Sequence, residues 1–243
     1  MTFEPHEIEW TTEKSKRLWD FYGSRPEFRK TFFGYQAGRY VAPMLVKDTA
    51  LADDARLLEF SCGQGDVIAA LLPYLRGKQE VHATDFSRTY VEAVAKRFGG
   101  EARFNGATLI ERLPSTLPPA HFDAVFSTEV IEHLTDDELS QMLTECKRVL
   151  KPGGRVFLTT PNAEDYDIAK VMCPDCGCIF HKWQHLRTWT ADSLRQRMEA
   201  AGLRTRLVKA VAWQSWQGKL LSLLRDRRIT PTGLVYVGEW PSS

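Results

Sequence analysis

The chain has 243 residues, enough for one large α/β domain or a core with a modest addition, and 43% of them are hydrophobic. Its 32 basic and 31 acidic residues leave a net charge of +1, which gives no reason to expect a polyanionic partner such as nucleic acid. No run is long enough to span a bilayer, and five cysteines behind a polar, acidic N-terminus point to reduced thiols or metal ligands, so the cytoplasm is the expected compartment.

In chain order, residues 1–52 are expected to form a helical cap, with Leu18, Trp19, Phe21 and Tyr22 supplying its apolar surface. Residues 53–243 form the main domain. ARLLEF (55–60) reads as a strand, and the helix after it carries Val67, Ile68, Leu71, Leu72 and Leu75 on one face. EVHATD (80–85) is a second strand, followed by a helix whose face is Tyr90, Val91, Val94, Ala95 and Phe98. ARFNG (102–106) and FDAVFST (122–128) are the third and fourth strands. Thr135 and Glu138 make a capping-box signature that opens a helix with the apolar stripe Leu139, Met142, Leu143, Cys146, Val149 and Leu150. KPGG stops it, and RVFLTT (155–160) is the fifth strand.

This alternation predicts a doubly wound, mostly parallel sheet. The connection 161–189 is far longer than the usual few residues and is a candidate functional insert. A helix around 190–201, a strand from Leu203 to Trp213, an amphipathic helix through Trp216, Leu220, Leu223 and Leu224, and a strand over 233–240 complete the reading. Seven strands result, the last antiparallel. Trp183, Trp189, Trp213 and Trp216 are expected on one side of the sheet, as packing residues, and Arg225, Arg227 and Arg228 as a solvated charge run.

The first strand runs through Ser61-Cys62-Gly63-Gln64-Gly65 directly into a helix. A turn this tight needs glycine where backbone must approach a ligand or take a positive φ, and the helix N-terminus offers free N–H groups. Asp85 ends the second strand, 20 residues after Gly65, where a carboxylate can accept both hydroxyls of an adenosine ribose. A dinucleotide fingerprint would need a third glycine where Ile68 stands, which argues against a nicotinamide-dependent oxidoreductase.

Glu59-x-Ser61-x-Gly63-x-Gly65 resembles the first motif of class I S-adenosylmethionine-dependent methyltransferases, with serine at one usual glycine. The resemblance implies a Rossmann-like fold and S-adenosylmethionine as cofactor. It further implies that Glu59 orders the loop and the methionine amine, and that Gly63 and Gly65 admit the cofactor backbone. Asp85 would hold the ribose and Phe86 flank the adenine, with Ser61, Gly106 and Thr128 also near the cofactor. Arg39 resembles an arginine that binds the cofactor carboxylate in ubiquinone-type O-methyltransferases.

Glu129-Val130-Ile131-Glu132-His133 follows the fourth strand, at the end where such sheets react. In a helical turn Glu129, Glu132 and His133 would share one face, with His133 as the general base. Similar motifs lie beside the acceptor in ubiquinone-type enzymes. In small-RNA 3′-terminal 2′-O-methyltransferases, two Glu and two His hold a metal, and here His185 would be the fourth ligand. Separately, Cys173, Cys176, His181 and His185 have the spacing C-x2-C-x4-H-x3-H, close to a zinc knuckle, so the insert is expected to bind zinc. No Asn/Asp-Pro-Pro-Tyr amide clamp follows the fourth strand, which favours oxygen methylation of a small molecule or glycan.

Overall fold

The computed structural model describes residues 3–213 and 230–241. Its centre is a seven-stranded sheet in the order β4-β3-β2-β5-β6-β10-β9. These strands are β2 (Arg56–Phe60), β3 (Glu80–Asp85), β4 (Phe104–Leu109), β5 (Phe122–Thr128), β6 (Leu150–Pro161), β9 (Arg204–Val211) and β10 (Gly233–Glu239). Only β10 runs antiparallel to its neighbours β6 and β9; the other pairings are parallel. The third strand begins two residues later than the sequence suggests and runs on to Leu109.

Strand alternation divides the core into two layers. Leu58, Val125, Val156, Leu158, Leu234 and Tyr236 face α5 (Asp136–Val149) and α6 (Ala191–Ala200). Leu57, Ala124, Phe126, Phe157, Val235 and Val237 face the other way, onto α2 (Phe33–Thr49), α3 (Asp66–Leu71) and α4 (Arg88–Phe98). Strands buried on both faces must be largely apolar, and β5 with AVF and β2 with Leu57, Leu58 and Phe60 around the single acid Glu59 are. The capping box at Thr135 and Glu138 forms as expected.

The first 52 residues divide between two places. Helix α2 lies in the core layer itself, with Val41, Ala42 and Leu45 fully buried. Helix α1 (Thr12–Gly23) instead lies against the long insert, and Tyr22 Oη donates to the Lys182 carbonyl at 2.6 Å. The insert also takes the N-terminus into a small sheet, in which β8 (Cys178–His181) pairs with β1 (His6–Glu7) and with β7 (Lys170–Met172). The tryptophans do not share one side: Trp189 packs in the α5/α6 layer, whereas Trp213 packs on Phe33 in the opposite layer. Trp216, Leu220, Leu223, Leu224 and the arginines at 225, 227 and 228 lie outside the described residues. Among the described residues, no helix is long and apolar enough to cross a membrane.

The strand order reverses between β2 and β5, because the chain builds outward through β3 and β4 and then returns to add β5 and β6. A crevice opens above the carboxyl ends of the strands at such a point. Here α1 and the insert roof it, leaving a cavity of about 1060 Å³.

Candidate active site

One side of the cavity is built by the loop after β2. Ser61, Gly63 and Gly65 all have positive φ, at 63°, 50° and 71°. Gly65 has no room for a side chain, since a Cβ there would meet the Phe98 ring at 2.7 Å. Asp66, the first residue of α3, is gripped by Arg29 and Arg97, and Arg97 also donates to the Gln64 carbonyl, which fixes the turn. Gly63 N–H donates to Asp85 Oδ2 at 2.9 Å, and Ser87 N–H donates to Oδ1 at 2.8 Å. These bonds aim the carboxylate at the cavity while each oxygen keeps a lone pair.

Burial pushes Asp85 up to about 6, against the opposing pull of the Ser87 and Gly63 amides. Glu59 is buried, its Oε2 has no partner, and burial beside Asp85 raises its pKa well above the usual range. A carboxylate left unpaired in a buried wall calls for a cation from a ligand. Phe86 lines the same side and is 40% exposed, which leaves its ring face open for stacking. Thr128, at the end of β5, also lines the cavity.

Two expected cofactor residues are elsewhere. Arg39 lies on the exposed face of α2 with its guanidinium over Tyr40, because the core-facing stripe of that helix is Val41, Ala42 and Leu45. Gly106 is inside β4 beside the His82 ring, since the strand continues past it. The residues that β4 delivers to the cavity are Leu109, Ile110 and Glu111, which lie beyond the segment that the sequence reading marked.

The opposite side holds Glu129, Glu132, His133 and His185. The segment after β5 is an irregular turn rather than a helical one, with Glu129 at φ 52° and His133 N–H bonded to the Val130 carbonyl at 3.0 Å. Glu129 Oε1 accepts from Thr159 Oγ1, and Glu132 Oε2 accepts from Thr160 Oγ1, both at 2.9 Å. Burial pushes Glu129 up to about 8, and burial together with Glu129 raises Glu132 well above its ordinary value. His133 Nδ1 donates to the Gln184 carbonyl at 3.4 Å, and its Nε2 stands 3.7 Å from Glu132 Oε1. Burial, aided by His185, pushes His133 down to about 3, so its ring is neutral. Trp19 packs edge-on to it, with ring centroids 4.9 Å apart.

The zinc knuckle does not form. Cys173 and Cys176 sit on the turn between β7 and β8, where Cys173 N–H donates to the Cys178 carbonyl at 2.8 Å. His181 ends β8 three residues further on, and an extended strand carries it about 10 Å from that turn. Zinc ligands stand about 2.0–2.3 Å from the ion, so the four cannot share one. His181 and His185 instead approach Glu164, a residue the sequence reading passed over; an acid inside an unusually long insert was the available signal.

Comparison with known proteins agrees with this geometry. A family model described as a methyltransferase domain matches residues 30–208, and the chain belongs to that family. The human mitochondrial ubiquinone biosynthesis O-methyltransferase is 34% identical over 103 residues, which are 40% of this chain and 27% of that protein. A Mycolicibacterium smegmatis protein named as an S-adenosylmethionine-dependent methyltransferase is 36% identical over 149 residues, 60% of this chain and 51% of its own. The chain thus spans about a quarter to a half of the length of these relatives.

Among solved structures, the Burkholderia thailandensis 1,6-didemethyltoxoflavin N1-methyltransferase superposes with a TM-score of 0.66 at 18% identity, covering 98% of this chain and 94% of that one. The [4+2]-cyclase SpnF superposes at 0.61 with 18% identity, covering 86% and 83%. Such distant likeness establishes the fold alone. The class is that of the Rossmann-like class I S-adenosylmethionine-dependent methyltransferases.

Proposed function

We propose that the protein transfers a methyl group from S-adenosylmethionine to an oxygen of a small molecule. The observation that carries this reading is the pairing of two buried acids, Glu59 and Asp85, across the glycine turn, each with acceptor capacity left facing the cavity. Bound S-adenosylmethionine supplies an electrophilic methyl carbon on a sulfonium. Glu59 takes the amine and Asp85 the two ribose hydroxyls, with Phe86 against the adenine. Gly63 and Gly65 keep the backbone clear. His133, Glu129 and Glu132 line the acceptor side, where the chain orients a hydroxyl for in-line attack and a lone pair on nitrogen receives its proton. The relatives named as ubiquinone biosynthesis O-methyltransferases support a small-molecule oxygen acceptor, and a glycan acceptor is tested alongside it.

Radiolabelled methyl transfer from S-adenosylmethionine to phenolic, amine, glycan and RNA panels tests the reading. Label in the phenolic set is expected. Label confined to nitrogen acceptors overturns oxygen methylation.

One observation favours a second reading. Glu132 Oε1 is buried without a partner, and one carboxylate oxygen of Glu132 lies with a ring nitrogen each of His133 and His185 in a group of donors within 4.8 Å of one another. This set fits a divalent cation, which would polarise the hydroxyls of an acceptor such as an RNA 3′ end. Activity on RNA that requires added Mn²⁺ would select this reading.

Ionised Asp85 is the better acceptor of two hydroxyls, so S-adenosylmethionine affinity is expected to rise as pH passes upward through about 6. The effect on the empty fold has the opposite sign. Native Asp85 holds its proton more tightly than the unfolded chain, so its contribution to stability is lost as pH rises from 3.8 to about 6. Calorimetric titration across this range checks the first effect, and Asp85→Asn should remove the step.

A further inference from the structure

Glu164 lies in the insert, just beyond β6, and its carboxylate faces two imidazoles. His185 Nδ1 hydrogen-bonds Glu164 Oε2, and His181 Nε2 stands 3.9 Å from Oε1. The two rings stack with centroids 4.3 Å apart, and Tyr166 stacks on the far face of the pair at 5.2 Å from His181.

The tautomer of His181 is fixed by its backbone. Its Nδ1 accepts N–H bonds from Trp183 at 3.3 Å and His185 at 3.2 Å, so Nδ1 carries no proton. The proton of the neutral ring must then be on Nε2, a fully buried atom with no bonded partner that faces Glu164. The same fact removes Glu164, His181 and His185 as a metal group, although their ligand atoms lie within 4.8 Å. A metal on His181 Nε2 would require the ring to lose both protons, and ligating histidines instead donate from the second nitrogen.

The carboxylate therefore accepts the hydrogen bond of His185 and faces the unbonded N–H of His181, 3.9 Å away. We propose that Glu164 is a positioning residue that holds His185 in the Nδ1–H tautomer and so leaves the Nε2 lone pair for the acceptor side of the cavity. This rests on the reading of the cavity as a methyltransferase site. It assigns to Glu164 what a buried carboxylate does for the histidine of a hydrolase triad: it orients the ring and selects which nitrogen is free. Glu164 is held below the usual carboxylate range; burial pushes it up, but the His185 bond and the nearby His181 and Lys182 outweigh this. His185 lines the cavity beside His133, with ring centroids 4.9 Å apart. His133 already points Nδ1–H at the Gln184 carbonyl, so both rings offer Nε2 to the same space.

Replacement by glutamine gives a specific outcome. An amide has one accepting and one donating end, and cannot accept at both. His181 cannot change, because two backbone N–H groups hold its Nδ1 as an acceptor. In Glu164→Gln the amide oxygen therefore turns to the buried His181 Nε2–H, which would otherwise meet the NH₂ donor to donor; the NH₂ donates to His185 Nδ1, and the proton of His185 moves to Nε2.

Long-range ¹H–¹⁵N spectra of the full chain labelled in its six histidines read this directly, at mildly alkaline pH. The His185 signals are assigned by their loss in His185→Asn. In the wild type, His185 is expected with protonated Nδ1 and bare Nε2; in Glu164→Gln the two exchange, while His181 keeps its pattern. A wild-type His185 protonated on Nε2, or on both nitrogens, overturns the proposal without any variant. So does an Nδ1–H that persists in Glu164→Gln. S-adenosylhomocysteine titrated into the same wild-type sample separates the two levels: no binding sinks the methyltransferase reading, whereas a wrong tautomer sinks only the role of Glu164.

Discussion

Asp85→Ala is expected to weaken S-adenosylmethionine binding by about 100-fold or more, with the fold retained. Two hydroxyl bonds to a charged acceptor are lost at about 1.5 kcal/mol or more each. The Gly63 and Ser87 amides lose their shared acceptor as well, and Gly63 sits in the turn that admits the cofactor. The variant therefore loses both the contact and the shape of the loop. Calorimetric titration measures the affinity, and circular dichroism confirms that the sheet is intact. A loss under tenfold would show that Asp85 serves only the loop and does not touch the ribose.

Phe126→Ala is expected to destabilise the protein by about 3–5 kcal/mol, the usual cost of deleting a buried aromatic ring. Phe126 lies on β5, in register with Glu59 of β2 and Phe157 of β6, and is fully buried in the layer beneath α2 and α3. The strands on both sides are tied into the sheet and cannot close the space that the ring leaves. The urea midpoint should fall accordingly with an unchanged slope. A cost below about 1.5 kcal/mol would mean that α2 follows the smaller side chain, and that this layer is looser than its packing indicates.

What could be read from the sequence follows from how local each feature is. The glycine turn between β2 and α3 and the acid at the end of β3 were legible, because their requirements are set by a few consecutive residues: positive φ at Gly63 and Gly65, and a carboxylate one strand away. The Thr135 capping box was legible for the same reason. The two core layers follow from period-two alternation in LLEF, AVF and LVYV.

Features that depend on distant chain were not legible. Arg39 resembles a cofactor-binding arginine of the ubiquinone-type enzymes, and only the packing of Val41, Ala42 and Leu45 against the sheet turns it outward. C-x2-C-x4-H-x3-H spacing matched a knuckle, but the small sheet formed with His6 and Glu7 holds residues 178–181 extended and draws the cysteines away from the histidines. Glu164 meets His185 across 21 residues of insert, a pairing that no spacing rule anticipates. His133 was chosen as the base from its place beside two carboxylates. Its burial, which drives its pKa down to about 3, comes from Trp19 on α1 and from the insert.

The central claim is that the cavity above β2, β3 and β5 is built for S-adenosylmethionine. Calorimetric titration of the purified full chain with S-adenosylmethionine, S-adenosylhomocysteine and NAD tests it most directly. Saturable one-to-one binding of the first two, and no heat with NAD, is the predicted result. Binding of NAD without binding of either S-adenosyl compound would contradict it.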